Sequence, residues 1–266
     1  MISKDFFQNL LLTAQQDLSQ AHLDQHFATA KMFTAVANYQ IPGRGAWSAV
    51  KPLDTLRYNN NTVSGKKYWV SGIPLCDWVV VPANTDQGHV VVVIDKQYLD
   101  LEPVDTMGME ATMTTNFVCD QAPATYLYSR NDNLNQLPNR FHMLAFITVQ
   151  LGLSMSAFNN IDTCTKSTAD FNYIKNKIKI DIEILKLLWQ HELDCLDQPF
   201  EQSRINLIYS FGKKTMAGVA NLVTELTGST LFKTSVPAHQ RYKDLLIYIT
   251  HMRNIWTSSK EITWSF

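Results

Sequence analysis

Residues Gly65–Asp95 read GKKYWVSGIPLCDWVVVPANTDQGHVVVVID, and this stretch decides the fold class of the chain. It contains two continuous runs of valine, Val79–Val81 and Val90–Val93. Asp86-Gln87-Gly88 lies between them and predicts a hairpin turn. Since both faces of such strands are apolar, the pattern predicts central strands that are covered on each side, as in a packed barrel or sandwich.

The sequence on either side extends this β unit and places helices around it. Few helix breakers interrupt Asp5–Asn38, which is predicted to be helical, and turn residues follow at 41–45. The predicted strands are Thr55–Tyr58, Lys66–Ser71, Trp78–Asn84, His89–Ile94, Met113–Cys119 and Thr125–Tyr128. The predicted later helices are Arg140–Thr163, Ala169–Leu196, Gln202–Glu225 and Ala238–Ile255.

The last four helices are long and joined by short links, which predicts an antiparallel four-helix bundle. An apolar stripe supports this for the second of them, and its members are Ile174, Ile178, Ile182, Leu185 and Trp189. The predicted fold class is therefore α+β and multidomain. We expect a short helical N-terminal segment (1–52), an antiparallel β barrel or sandwich domain (53–130) and a C-terminal antiparallel four-helix bundle (131–266).

Composition limits the classes of partner. The 266 residues carry a formal net charge of −1, with 45% hydrophobic and 18% charged residues, so the chain is predicted to fold but has no electrostatic reason to bind nucleic acid or an anionic membrane. The sequence contains no run of about 18 apolar residues, so no membrane-spanning helix is predicted. The four cysteines are widely spaced, which favours reduced thiols over a zinc site and predicts a cytoplasmic protein.

Several motifs together resemble the acyl-CoA dehydrogenase-like flavoproteins. Their β domain begins with a line of the type G-x-K-x-(W/F)-x-(T/S)-x-G, and Gly65, Lys67, Trp69 and Ser71 are similar to it. Asp77–Ala83 resembles the strand that follows, and Met107–Thr112 resembles a later turn. Near the end, the order of Gly228, Phe232, Pro237, Arg241, Asp244 and His251 is similar to the flavin-dependent monooxygenase branch.

The resemblance implies a flavin, FAD or FMN, held between the β domain and the bundle. Trp69, Val70 and Ser71 are then expected to back the flavin ring and reach its polar edge. Gly228, Ser229 and Arg241 are expected to bind the rest of the cofactor, although an ion pair between Arg241 and Asp244 is an alternative for Arg241. His251 is the expected catalytic residue, and a packed neutral histidine is the alternative for it. Implied partners are a second copy of the chain (a homodimer or homotetramer formed through the bundle) and a flavin reductase or complementary subunit.

The chain also departs from this family. Only 52 residues precede the predicted β domain, and residues 41–49, IPGRGAWSA, keep little of the family's Thr-Glu-Pro-x-x-Gly-Ser-Asp line. The catalytic glutamate line Tyr-Glu-Gly-Thr is missing near Glu261, and no Arg-x-x-Phe-Gly occurs near Cys164–Tyr173. Two hypotheses follow: an oxidoreductase, either a dehydrogenase relative or a two-component monooxygenase, and a degenerate member that serves dimerisation or partner binding.

Other candidate sites favour structural roles. His22 and His26 are four residues apart, as metal ligands on a helix are, but no third ligand is evident, so a surface or packing role is favoured and no metal is expected. His191, Glu192 and Asp194 are interpreted as a polar cluster at a helix end rather than as acid–base residues.

Overall fold

The structure is a computed structural model that describes residues 3–49, 53–106, 109–129, 134, 136–161, 169–199, 201–227 and 237–256. Its helices are α1 Lys4–Gln16, α2 Leu18–Val36, α3 Gln136–Ile161, α4 Ala169–Asp194, α5 Gln202–Thr227 and α6 Pro237–Trp256. Its strands are β1 Gly45–Trp47, β2 Arg57–Asn59, β3 Thr62–Val70, β4 Trp78–Thr85, β5 Gly88–Asp95, β6 Asp100–Pro103 and β7 Thr115–Ser129.

The N-terminal segment is two helices rather than the single helical stretch that the sequence predicts. Asp17 separates them: its backbone N–H bonds Thr13 O at the end of α1, and its side chain accepts a hydrogen bond from the Gln20 N–H at the start of α2. A carboxylate in this position is a strong N-cap because it satisfies an N–H that has no partner within the helix. The Asp17–Gln20 spacing is the sequence signal that could have located the break.

Five strands form a closed barrel. The hydrogen-bonded order is β4-β2-β3-β7-β5, and β5 pairs back onto β4. β1 pairs parallel to β4, and β6 pairs antiparallel to β7. Closure leaves no free edge within the ring of five strands. The predicted α+β class, with a β barrel between N-terminal helices and a C-terminal bundle, is confirmed.

The valine runs are buried on both faces, as predicted. Val79, Val81 and Val92 point into one apolar cluster. Val80 and Val91 lie in a second cluster outside the barrel. There the Phe33 ring of α2 stacks on Trp47 of β1 at 3.9 Å between ring centroids. The outer cluster packs α2 against the barrel.

Two strand predictions need correction. The predicted strands Met113–Cys119 and Thr125–Tyr128 belong to one 15-residue strand, β7, which pairs with β3, β5 and β6. A left-handed residue at Gln121 (φ 48°) bends this strand, so turn-like residues within it do not end it. β1 and β6 were missed because three and four residues are too few for a periodic pattern.

The four later helices match their predicted bounds closely and pack together. Ile178, Ile182, Leu185 and Trp189 of the predicted stripe are buried in their shared core. α3 is apolar and long enough to cross a membrane by length and composition, but 83% of its most apolar 18-residue stretch is buried in the protein, so it is the central core helix. The predicted domain boundaries, after residues 52 and 130, adjoin segments outside the described residues and stay predictions.

Candidate functional site

Trp69 lies in a bulge of β3 and presents its side chain to the outside of the barrel. The register between β3 and β7 shifts between Lys67 and Val70, and we call residues 67–70 the Trp69 bulge. Trp69 has a φ of 58°, and 45% of it is exposed. A positive φ is a genuine outlier for a bulky residue and persists only where the surrounding structure enforces it.

Two side chains hold the bulge through consecutive backbone groups. The Trp69 N–H donates to Asn116 Oδ1 on β7 at 3.0 Å, and the Tyr68 N–H donates to Asp54 Oδ1 at 3.1 Å. A bulge interrupts the strand ladder, so these N–H groups need other acceptors. Side-chain acceptors therefore take the place of the ladder bonds at this point.

A buried ion pair anchors the same loop. Lys67 is fully buried, and its Nζ lies 2.5 Å from Asp54 Oδ2 and 2.6 Å from Ala49 O. Burial lowers the pKa of the Lys67 ammonium, and the Asp54 carboxylate opposes that effect. Asp54 therefore neutralises Lys67 with one oxygen and holds the Tyr68 backbone with the other.

The residues on either side of the exposed indole are covered. Val70 is fully buried in the barrel core, and Ser71 is only 4% exposed. The Ser71 hydroxyl lies 3.1 Å from His22 Nε2 on α2 and 3.2 Å from the Thr114 hydroxyl. The structure thus brings Ser71 to α2 and leaves Trp69 facing outward.

The histidine pair of α2 is buried rather than on the surface. His22 and His26 are 2% and 5% exposed, with ring centroids 4.4 Å apart, and His26 Nδ1 lies 2.6 Å from Trp47 O. His142 of α3 adds a third imidazole, 6.2 Å from His26. Among the described residues, no group of three or more potential ligand side chains could hold a metal ion. The His22–Ser71 contact could not be found from the sequence, since 49 residues separate its partners.

The remaining predicted site residues lie outside what the structure describes. Gly228 and Ser229 fall in residues 228–236. Arg241 and His251 belong to the backbone of α6, but their side chains are outside the described part of the chain. Their roles stay predictions.

The predicted polar cluster at the end of α4 holds helices together. Glu192 is 1% exposed and bonds the Arg204 guanidinium of α5, whereas Asp194 bonds Lys4 of α1 at 2.9 Å. These contacts are ion pairs between helices and need no catalytic role to explain them. The thiols of Cys76 and Cys119 are free and buried, and burial raises their pKa to about 12 and about 11.

Three surface cavities, of about 540, 650 and 930 Å³, are lined by other residues than Trp69 and Ser71. The first lies between α3 and α4 and the second between α1, α2 and the Gly43-Arg44 turn. The third is a polar cleft at one end of the barrel, beside Tyr58 and Tyr126. The Trp69 surface is therefore an open face, distinct from these cavities.

Solved structures of flavoproteins share this fold. Glutaryl-coenzyme A dehydrogenase in its glutaryl-CoA complex superposes with a TM-score of 0.76 at 13% identity, over 93% of this chain and 78% of that one. XiaF from Streptomyces sp., in complex with FADH2 and glycerol, gives 0.72 at 13% identity over 98% and 82%. KijD3 in complex with FMN and a dTDP-linked amino sugar gives 0.69 at 14% over 98% and 76%.

No protein-family model and no curated protein sequence matches the chain. At the low identity of the structural matches, what is shared is the fold alone. The chain has the fold of the acyl-CoA dehydrogenase-like flavoproteins, and the predicted resemblance is confirmed at that level.

Proposed function

We propose that the protein is a flavin-dependent oxidoreductase that binds FAD or FMN against the outer face of the barrel at Trp69. The observation that supports this most is the exposed indole of Trp69, whose φ is 58°. Asn116 holds its backbone N–H, and Asp54 holds that of the neighbouring Tyr68. Strained backbone that is held in place by its surroundings clusters at functional sites. An exposed, rigidly held aromatic face fits the apolar backing that a flavin ring requires.

The chain's own residues would then divide the work. Trp69 would stack on the ring, and Val70 would support the bulge from the barrel core. The Ser71 hydroxyl, which α2 covers, would act from behind the site through Thr114. Gly228, Ser229 and Arg241 would bind the phosphate-bearing part of the cofactor, and His251 would exchange a proton with the substrate. When bound, the flavin supplies hydride or electron transfer, or oxygen chemistry.

The monooxygenase-like form of this activity, with a separate flavin reductase, fits the sequence better than acyl-CoA dehydrogenation. The family's glutamate line, which removes a proton in the dehydrogenases, is missing near Glu261.

The free thiols of Cys76, Cys119 and Cys195 support a cytoplasmic location.

The test is flavin binding by the purified protein. We expect FAD or FMN fluorescence to change on binding, with a Kd in the micromolar range, about −8 kcal/mol. Trp69→Ala is expected to weaken binding about tenfold. Tyr98→Ala is the matched control, because Tyr98 is equally exposed (44% against 45%) but lies in a different turn. Equal affinity for both variants, or no binding of either flavin, contradicts the proposal.

A second candidate is a protein-binding role without catalysis, and the exposed face of α4 supports it. Four large apolar residues on this helix are 40% or more exposed, and they are Tyr173, Ile180, Ile184 and Leu187. Their spacing places them on one side of α4, opposite the stripe that packs in the bundle. Such a face favours association, and we propose that two copies of the chain pair through it, as a homodimer or as half of a homotetramer. A protein that binds no flavin but self-associates would favour this candidate.

A further inference from the structure

The inward face of α2 is polar although it is buried. His22, Gln25, His26 and Thr29 follow one face of the helix and are 2%, 0%, 5% and 0% exposed. A helix face that packs on a core is normally apolar, and burying polar side chains costs stability. A buried polar face is therefore a candidate for function rather than for folding.

A chain of hydroxyls leads from this face to the outside of the barrel. His22 Nε2 lies 3.1 Å from Ser71 Oγ, and Ser71 Oγ lies 3.2 Å from Thr114 Oγ1. Thr114 Oγ1 lies 2.9 Å from Thr112 Oγ1, which donates to Met109 O at 2.8 Å. Thr114 is only half-buried, so the chain reaches the surface there, two residues before Asn116, the partner of Trp69 on β7.

The hydrogen bond from Thr112 to Met109 O determines which group donates in each of the other contacts. A carbonyl oxygen only accepts, so the Thr112 proton is used on Met109 O, and Thr114 must donate to Thr112. The Thr114 proton is then used, so Ser71 donates to Thr114, and His22 Nε2 must carry a proton and donate to Ser71. With this assignment, each of the four contacts from His22 to Met109 O contains one hydrogen, and no other assignment achieves this.

We propose that His22, Ser71 and Thr114 form a proton relay that serves the flavin site at Trp69. The inference rests on the proposed function, because the base that receives the proton belongs to the molecule bound there. Among the described residues, the titratable groups whose rings face His22 are His26 on the same helix and Tyr248 on α6, and His142 of α3 faces His26 in turn. On the barrel side His22 contacts the Ser71 hydroxyl.

The relay transfers one proton per passage. Solvent first protonates His22 at Nδ1, and the resulting imidazolium gives its Nε2 proton to Ser71 Oγ as Ser71 passes its own proton to Thr114 Oγ1. The Thr114 hydroxyl turns outward and gives its proton to the bound base. His22 ends neutral with its remaining proton on Nδ1, and each hydroxyl keeps one proton.

The test uses Thr114→Val, which keeps the side-chain shape and removes the outer hydroxyl of the relay. Thr115→Val is the matched control, because the Thr115 hydroxyl is outside the relay and donates to Met113 O. Ser71→Ala is the second interruption, should Thr114→Val fail to fold. The first readout is the exchange of the His22 Nε2 proton with water, followed by NMR on protein with ¹⁵N-labelled histidine and assigned with His22→Gln. The second is the solvent deuterium isotope effect on reoxidation of photoreduced, protein-bound flavin.

We expect Thr114→Val and Ser71→Ala to slow exchange of the His22 proton by about tenfold or more. We also expect Thr114→Val to bind flavin as tightly as the wild type but to lose the solvent isotope effect, and Thr115→Val to behave as the wild type in both readouts. Equal exchange in wild type and Thr114→Val, or equal slowing in Thr114→Val and Thr115→Val, overturns the relay. If the wild type binds no flavin, the proposed function fails, and the exchange rates alone then decide for or against the relay.

Discussion

The side-chain oxygen of Asn116 accepts a hydrogen bond from the backbone N–H of Trp69 at 3.0 Å, across the β3–β7 pair. The bond holds the strained backbone of the residue that carries the exposed aromatic ring. It explains how a bulky side chain is kept at a φ of 58° and still faces outward.

Loss of the Asn116 acceptor should loosen the Trp69 bulge without unfolding the barrel. We expect Asn116→Ala to lower the free energy of unfolding by about 1 kcal/mol, the usual net value of one hydrogen bond. The Trp69 indole should become more mobile, which lowers its fluorescence anisotropy. The Trp69 signal is obtained by subtracting the fluorescence of Trp69→Phe. The control is Asn59→Ala, an exposed strand asparagine of β2. An unchanged anisotropy in Asn116→Ala would show that the bulge holds itself.

The Asp54–Lys67 pair should matter far more than the neighbouring surface pair. Asp54→Ala leaves a fully buried ammonium without its carboxylate, so we expect a loss of about 3–5 kcal/mol in the free energy of unfolding. Glu102→Ala removes the partner of the adjacent Lys66, in a pair whose side chains are 31% and 46% exposed, and should cost at most about 1 kcal/mol. Denaturant unfolding of both variants measures the difference. Similar losses in the two variants would contradict the structural role of Asp54.

Thiol reactivity should separate the buried cysteines from Cys195. Burial raises the pKa of Cys76 to about 12 and that of Cys119 to about 11, so few of these thiols are ionised near pH 8. We expect iodoacetamide to label the half-buried Cys195 before Cys76 and Cys119, as read by peptide mass spectrometry of the native protein. Labelling in denaturant is the control and should remove the difference. Early labelling of Cys76 would show that the barrel opens easily.

The same two thiols should make the protein less stable in alkali. In the unfolded chain a thiol ionises near pH 8.5, whereas the folded protein keeps Cys76 and Cys119 protonated to about 12 and about 11. Above pH 8.5 the folded state therefore binds more protons than the unfolded state, and the free energy of unfolding falls as pH rises. Cys76→Ala should flatten this decline between pH 8.5 and 11, measured by urea unfolding. An equal decline in Cys76→Ala and wild type would assign it to other groups.

The exposed face of α4 should control self-association. We expect Ile180→Glu to shift the oligomer toward monomer in analytical ultracentrifugation, because Ile180 is 59% exposed and central in that face. Lys179→Glu places a carboxylate at a neighbouring exposed position outside the apolar face. It changes the net charge more than Ile180→Glu does, and should still leave the mass of the oligomer unchanged. A wild type that is monomeric at high concentration would exclude this interface.

Most contacts of the site could not be predicted from the sequence, because they join residues that are distant along the chain. The Gly-x-Lys-x-Trp-x-Ser line pointed to Trp69 and Ser71, but it treated them as one surface. The structure separates them, since a left-handed residue turns the indole outward while α2 covers the hydroxyl. Asp54 is 14 residues from its partner Tyr68, Asn116 is 47 from Trp69, and His22 is 49 from Ser71. No local sequence pattern connects these pairs.

Local patterns by themselves determined the order and type of the main elements. Valine runs predicted the doubly covered strands, and helical periodicity predicted α3 to α6, because strand and helix periods are properties of neighbouring residues. Only the tertiary structure decided the closure of the barrel, the parallel pairing of the short β1 and the meeting of the α2 histidines with the barrel hydroxyls. These contacts join residues that are distant in sequence, and their geometry depends on how whole elements pack.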